Sequence, residues 1–458
     1  MEKIVCDNDA SVSWNNDSWG IVLTNLSKRT KCNVYFKKGI KIGNLTAFVD
    51  ELGKCPTINS DGTVNVTKAE ATDGYVCSAS DAYGTSYYYR GNVTNNYVKF
   101  ADKYWRIIRI NGDGTVRVIY DGTSAHANGE KSTDRQIGTS RFNYYWKKDN
   151  VQKTTNSYVY FDNAGVGYMY GNRDAIVEAT EYYSSTRFTN TSTYYIAKEY
   201  TYDVTTDRFA LKDPIAVLGS AMTSDYVGYY TFGSTSANTS WLNVYKIFGV
   251  TAGDSSADVE YGFVRYGTSS KEVAQTNTND STIKTYLDNW YKTTISDVEN
   301  KQYLADNIFC NDRSFASYTS GTGAGVSFTT YNRGGWHASK SNLKCPQQND
   351  AFTVSDTTNG NGALTYPIGL ITIDEVALAG GWNANNNGYY LYSGSWYWTS
   401  SPNYFDGSSA VVMNVNSNGN AGLSHYADYS DDGVRPVLNL SSDVLNNGDG
   451  SMDNPYHP

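Results

Sequence analysis

The side chains most able to do chemistry in this sequence are six cysteines and four histidines. No CxxC motif occurs, and no two histidines have the HxxH or HxxxH spacing; they are His126, His337, His425 and His457. Zinc sites are usually built from closely spaced Cys and His ligands. We therefore expect no metal ion and no other cofactor, and we assign no catalytic residue.

The cysteines fall into three neighbouring pairs along the chain: Cys6 and Cys32, Cys55 and Cys77, and Cys310 and Cys345. An even number of cysteines at loop-sized spacings is typical of disulfides formed in an oxidising compartment. Several connectivities are possible, and we predict pairing between nearest neighbours. The alternative is six buried thiols in a cytosolic protein, but the Tyr-, Asn- and Ser-rich composition favours an extracellular location.

Hydrolase signatures are weak. A glycosidase needs two carboxylates that face each other across a cleft. Asp374 and Glu375 are adjacent and would not face each other on a helix. The sequence marks no other pair among its 46 acidic residues, and it contains no GxSxG motif.

Aromatic and Asn-rich loops near the C-terminus offer a binding surface instead. Tyr with Ser, Gly and Asn is the composition of antibody paratopes, and exposed aromatic rings also stack on sugar rings. We predict ligand contacts in loops 382–390, 403–408 and 416–432, by Trp382, Tyr389, Tyr390, Tyr404, Phe405, Asp406, Asn418, His425, Tyr426 and Tyr429. The alternatives are ordinary solvated turns, or packing against residues 143–276.

Strand and helix patterns predict the scaffold behind these loops. Residues 104–110 and 115–120 are β-rich and flank an Asn-Gly-Asp-Gly segment, which predicts a hairpin turn. A calcium loop would need more spaced carboxylates. Apolar residues at helical spacing follow Ser281 and end at Trp290, so Trp290 is expected in the core. Thr372 and Glu375 form the capping-box pattern of a second helix. We also predict that Trp105, Trp398 and Arg435 are structural.

The composition limits the classes of partner that this chain is expected to bind. Net charge is −9 with 18 % charged residues, which argues against nucleic acid, since phosphate backbones are bound by clustered Lys and Arg. No run of about 18 apolar residues occurs, so no direct membrane insertion is expected. The first residues lack a signal-peptide pattern, so an exported form would need a targeting segment outside this sequence.

A short helix is predicted at residues 45–52.

Four motifs carry a resemblance to a known fold. They are the helix at 281–287, the Leu370-Ile371-Thr372-Ile373-Asp374-Glu375 unit, the Tyr397-Trp398-Thr399-Ser400-Ser401-Pro402 strand and Gly433-Val434-Arg435-Pro436. In this order they resemble surface proteins of Gram-positive gut bacteria with a C-type-lectin-like domain, like that of formylglycine-generating-enzyme-like and retroelement variable proteins. Cys310 and Cys345 are the candidates for a reactive thiol pair of the formylglycine type, and we predict a structural disulfide instead.

The expected fold is α+β and β-rich. A disulfide-closed β region at 1–85 precedes a C-type-lectin-like domain at 86–458 that carries an insertion at about 143–276. The resemblance implies an extracellular adhesin or receptor on the bacterial cell surface, whose partner is a host protein or glycan. Two alternatives are a subunit or tip of a surface filament, which involves self-assembly, and a carbohydrate-active enzyme.

Overall fold

The computed structural model describes a part of the chain that includes most of the C-terminal half. The described residues are 3–7, 11–15, 20–25, 29–35, 39–42, 45–48, 55–70, 74–143, 146–148, 157–171, 178–184, 194–196, 200–203, 208–211, 216–218, 229–233, 242–246, 260–267, 274–316, 326–333, 340–405 and 410–458. With 33 % strand against 15 % helix, the β-rich prediction is confirmed.

An antiparallel sheet of six strands lies at the centre of the fold. Its strands are Gly74–Asp81, Gly84–Gly91, Tyr97–Phe100, Lys103–Ile110, Val116–Gly122 and Val437–Leu440. The strand Val437–Leu440 pairs with Val116–Gly122, so this sheet joins residues that are more than 300 positions apart in the chain. The predicted hairpin turn is present, because the Gly114 amide donates to the Asn111 carbonyl at 2.9 Å.

A second antiparallel sheet carries the C-terminal aromatic residues. Its four strands, in spatial order, are Val326–Ser327, Tyr397–Phe405, Ala410–Val415 and Leu423–Tyr426. Leu423–Tyr426 is therefore an edge strand of this sheet among the described residues. Two short strand pairs brace the scaffold: Val64–Asn65 with Lys340–Ser341, and Phe309–Cys310 with Ala351–Phe352.

The helices begin at the predicted caps. The helix Thr282–Thr294 has Ser281 as its N-cap, whose side chain accepts from the Lys284 amide. The short helix Ile373–Leu378 has the predicted capping box, with both reciprocal bonds between Thr372 and Glu375. A further short helix spans Val298–Lys301. Each cap satisfies amides that have no partner within the helix, which makes these starts readable from sequence.

The core confirms the structural assignments. Trp105, Trp398 and Arg435 are fully buried. Trp290 is partly buried and packs edge-to-face against Trp105 and Tyr120, with ring centroids 6.3 and 5.8 Å apart. A smaller apolar cluster lies between the helix Ile373–Leu378 and the strands Val64–Asn65, Gly74–Asp81 and Gly84–Gly91. It contains Val64, Val66, Cys77, Ala79, Tyr88, Ala377 and Leu378.

The expected domain boundaries need correction. Residue 85 lies in the hairpin formed by Gly74–Asp81 and Gly84–Gly91, so it does not separate two units. Residues 163–170 lie in the expected insertion, yet Val166 and Tyr168 are buried in the main core. The boundary at residue 85 is misplaced because a boundary depends on long-range packing, which a local composition change does not report. The predicted helix at 45–52 is also wrong, because Leu45–Phe48 is a strand.

The remaining described strands form two-stranded antiparallel sheets, except that Trp146–Lys148, Ser157–Asp162, Glu260–Gly267 and Glu178–Ser184 form one four-stranded sheet. Near the N-terminus they are Lys3–Cys6, Ser11–Asn15, Gly20–Thr24, Cys32–Tyr35, Gly39–Ile42 and Leu45–Phe48. Between the two halves of the scaffold they are Trp146–Lys148, Ser157–Asp162, Met169–Tyr170, Glu178–Ser184, Tyr194–Ile196, Tyr200–Asp203, Arg208–Leu211, Ala216–Leu218, Tyr229–Gly233, Leu242–Lys246, Glu260–Gly267 and Asn279–Asp280.

Three disulfides join the predicted neighbours. They are Cys6–Cys32, Cys55–Cys77 and Cys310–Cys345. Three such bonds are consistent with a secreted or extracellular protein, since cytosolic reductants keep thiols reduced.

Candidate functional site

A buried cluster of arginines and carboxylates lines one small cleft. Arg109 lies 2.8 Å from Asp81 and 3.1 Å from Glu375, and Arg117 lies 2.5 Å from the same Glu375. Burial alone would raise the pKa of Glu375, but the charges of Arg117 and Arg109 outweigh it and lower that pKa. Glu375 is therefore an ionised partner of two guanidinium groups.

The other wall of the cleft is built around Arg333. Its guanidinium lies 2.5 Å from Asp312 and 3.0 Å from Asp374. Burial raises the pKa of Asp374 despite this partner, whereas for Asp312 the opposing effects of Arg333, Ser314 and Thr329 overcome burial and lower the pKa. The two carboxylates thus share one cation.

This cleft does not favour hydrolase chemistry. Each of its carboxylates is already engaged by an arginine, so none is free to transfer a proton to a substrate. The cleft has room for about one water molecule, far less than a sugar ring requires. We interpret the cluster as a structural network that fixes the helix Ile373–Leu378 to the central sheet.

Three of the predicted ligand contacts are wrong because they belong to the core. Tyr389, Tyr390 and Phe405 are fully buried. The Tyr389 hydroxyl donates to the Gly419 carbonyl at 3.4 Å, and the Tyr390 ring lies beside the buried guanidinium of Arg106. Asn385 and Asn387 of the same segment are exposed, but both tyrosine side chains point into the core, so a ligand outside cannot reach them.

The other predicted contacts are scattered. Trp382 is partly buried and packs against the smaller apolar cluster. Asn418 is exposed in the turn that links Ala410–Val415 to Leu423–Tyr426. Tyr404 is partly buried, and its ring lies 6.2 Å from that of Tyr331. Asp406 lies outside the described residues.

The predicted residues also divide between two faces of one sheet. Tyr426 is directly opposite Val411, which in turn pairs with Tyr404, so these three form one row across the sheet. Successive side chains of a strand point to opposite faces. His425 therefore lies on the face opposite to Tyr426, so the predicted contacts do not all share one face of the sheet.

On the face of His425, three aromatic rings form a stack that we call the aromatic ledge: Trp396, His425 and Tyr429. The Trp396 and His425 rings are nearly parallel, with centroids 4.5 Å apart and an interplanar angle of 23°. The Tyr429 ring lies on His425 at 4.3 Å, tilted by 52°. Tyr429 is 42 % exposed, and the His425 side chain is 25 % exposed, so solvent reaches the stack.

The imidazole of the ledge is held in one orientation. His425 Nδ1 lies 2.9 Å from both carboxylate oxygens of Asp432, which is fully buried. Asn414 Nδ2 donates to the same carboxylate at 2.7 Å. Such a chain of bonded polar groups positions a side chain before any ligand arrives, which lowers the entropy cost of binding.

The turn that carries Tyr429 is held by hydrogen bonds on both sides. The Tyr429 amide donates to the Tyr426 carbonyl at 2.9 Å, and Ala427 exchanges backbone bonds with Ala410 and Asn143. Arg141 Nε donates to the Asp428 carbonyl at 2.9 Å. Trp396 is held at the other side, where its carbonyl accepts from the Gly433 amide.

Sequence reasoning found His425 and Tyr429 but missed Trp396 and Asp432. Trp396 comes directly before the strand Tyr397–Phe405, and nothing in its local pattern separates it from the buried Trp398. Asp432 is one of several acidic residues in a polar loop. Only the pairing of strands brings the four side chains together.

The comparisons with known proteins add no further assignment: no family model, no curated protein and no solved structure matches this chain. Within the described ranges, no helix is long and apolar enough to cross a membrane. The same part of the chain contains no group of three His, Cys, Asp or Glu side chains arranged to hold a metal ion.

Proposed function

We propose that this chain is an extracellular binding protein of the bacterial cell surface, of the adhesin or receptor type, with a C-type-lectin-like scaffold. The order of four motifs and the three disulfides support this proposal. The host side of the interaction is a protein or glycan bound at the aromatic ledge.

One observation carries the assignment of the site. The His425 ring lies between Trp396 and Tyr429, and its inner nitrogen is bound to buried Asp432. A partly exposed imidazole whose partner is fully buried is more constrained than a solvated surface histidine needs to be. Rigid aromatic groups with a fixed polar atom are the usual anchors of binding surfaces.

The experiment is adhesion of the purified full chain to immobilised host epithelial cells, with ledge variants. We expect Trp396→Ala and Tyr429→Ala each to weaken binding about tenfold or more, because a central aromatic anchor contributes 1.4 kcal/mol or more. Thermal unfolding of each variant shows whether the fold is retained.

Tyr426→Ala is the matched control. Tyr426 is 53 % exposed and lies next to His425 in the strand Leu423–Tyr426, but its side chain is on the opposite face of the sheet. We expect its binding to equal that of the unmodified chain. Unchanged binding by both ledge variants, or loss of binding only in Tyr426→Ala, would contradict the proposed site.

A further inference from the structure

We propose that the ligand of the aromatic ledge is a neutral sugar and that His425 makes a hydrogen bond to one of its hydroxyl groups. This inference rests on the proposed function and specifies the ligand class at the same site. It is carried by the free nitrogen of His425, the charges around the ledge and the small size of the stack.

The first argument is the outer nitrogen of His425. A carboxylate only accepts hydrogen bonds, so the Nδ1 atom that faces Asp432 carries a proton. In the neutral ring, Nε2 is then an acceptor. Within the described part of the chain Nε2 makes no hydrogen bond, and the side chain is partly exposed. A hydroxyl group of a ligand is a suitable donor to this atom.

The second argument is the electrostatic surroundings. Asp428 and Asp431 flank Tyr429 in the chain, and Asp431 is exposed. Arg141, whose Nε donates to the Asp428 carbonyl, contributes one positive charge against these two carboxylates. The chain as a whole carries a net charge of −9. An acidic sugar would be repelled by these carboxylates, so a neutral one is favoured.

The third argument is size. Three stacked rings offer far less area than the roughly 800 Å² per partner of a stable protein interface. One face of a sugar ring presents C–H groups, which carry a slight positive charge and suit the negative face of an aromatic ring. A sugar ring therefore matches the dimensions of the ledge together with its single outward acceptor.

The direct experiment probes the full chain against immobilised oligosaccharides that end in galactose, glucose, mannose or N-acetylglucosamine, with sialylated and sulfated counterparts. We expect retention on at least one neutral oligosaccharide and weaker retention on its acidic counterpart. Tyr429→Ala should lose this retention, and Tyr426→Ala should keep it. Retention on acidic oligosaccharides alone, or on none of them, would overturn the inference.

The role of His425 is tested with monodeoxy analogues of the retained sugar. Removal of one hydroxyl should weaken binding to the unmodified chain about tenfold, because a site built for a hydrogen bond rejects an analogue without it. His425→Phe keeps a ring in the stack and removes the nitrogen, so this variant should bind the parent sugar and that analogue equally. If the unmodified chain binds every monodeoxy analogue as tightly as the parent sugar, His425 makes no such bond.

His425→Phe removes one of the two side chains that bind the buried carboxylate of Asp432 and leaves the Asn414 bond, so its stability is checked by thermal unfolding. If it does not fold, the analogue series with the unmodified chain still decides the question, because it needs no variant. The sugar inference and the proposed binding function can fail independently of each other. Cell adhesion that depends on Tyr429 but survives periodate oxidation of the cell-surface sugars would keep the ledge as a site and exclude a sugar ligand.

Discussion

The guanidinium of Arg435 lies 3.1 Å from the carboxylate of Asp121, and both side chains are fully buried. The same carboxylate also binds Arg135 at 2.7 Å. Arg435 completes its hydrogen bonds with the backbone carbonyls of Leu391 and Tyr120. The Gly-Val-Arg-Pro motif therefore anchors the end of the central sheet to the loop that leads towards Trp396.

Asp121→Ala should destabilise the protein by about 3–5 kcal/mol, because it leaves two buried guanidinium groups without a counter-charge. Urea unfolding of the purified chain measures this change. Asp453→Asn is the control, since Asp453 is exposed, and its effect should stay within about 0.5 kcal/mol. A change of less than about 1 kcal/mol in Asp121→Ala would contradict the structural role.

Trp398→Ala should cost about 3–5 kcal/mol, because it opens a cavity in the core and removes an indole that donates to the Ser140 carbonyl at 2.8 Å. Its ring also packs edge-to-face on Phe142. Thermal unfolding should show a clearly lowered midpoint. Tyr426→Ala removes an exposed aromatic side chain and should leave the midpoint nearly unchanged; equal midpoints for the two variants would refute the prediction.

Acid should weaken the network around Glu375. The lowered pKa of this buried side chain means that the folded state binds its proton less readily than the unfolded chain does, for which the ordinary value is 4.5. The resulting stabilisation is present above about pH 4.5 and is lost as the pH falls through the folded pKa. We expect the free energy of unfolding to fall less steeply on acidification in Glu375→Gln than in the unmodified chain.

The measurement for Glu375 is urea unfolding at several values between about pH 3 and 7. Glu375→Gln should also be less stable at neutral pH, because Arg109 and Arg117 lose their shared charge. Asp453→Asn should keep the acid dependence of the unmodified chain. An unchanged acid dependence in Glu375→Gln would show that this carboxylate does not contribute.

Non-reducing peptide mapping should recover the three disulfides between nearest neighbours. Replacing Cys310 and Cys345 together by Ala should lower the free energy of unfolding by about 2–5 kcal/mol, because the bond closes a loop with a sequence separation of 35 residues. Crossed pairs or free thiols in the map would contradict the pairing. This variant lacks only the Cys310–Cys345 bond, so the Cys55–Cys77 bond serves as an internal control in its peptide map.

Glu375 illustrates where sequence reasoning stops. Its bond to the backbone of Thr372 was predictable, because a capping box involves residues three positions apart. Its bond to Arg109 joins residues 266 positions apart. No local pattern reports that second partner, so the sequence predicts the helix cap but not the arginine network around it. The cleft around it was consequently absent from the predicted sites.

The tyrosines also show the difference between what local sequence predicts and what distant contacts decide. Tyr389 and Tyr429 both lie in polar, Asn- or Asp-containing segments, and the sequence alone treated them alike. The structure buries Tyr389 completely and leaves Tyr429 exposed on an edge of the second sheet. Whether a loop aromatic enters the core depends on the surface that folds against it, and that surface comes from distant parts of the chain.

By itself, the sequence determined the local features: the strand-rich composition, the hairpin turn, both helix caps and the apolar helix stripe. These depend on residues close together in the chain, whose periodicity and backbone preferences act before any tertiary contact. The tertiary structure alone decided which aromatic residues reach solvent and which face of the sheet they share. It also placed Asp432 behind His425, because strand register brings together side chains that local patterns treat separately.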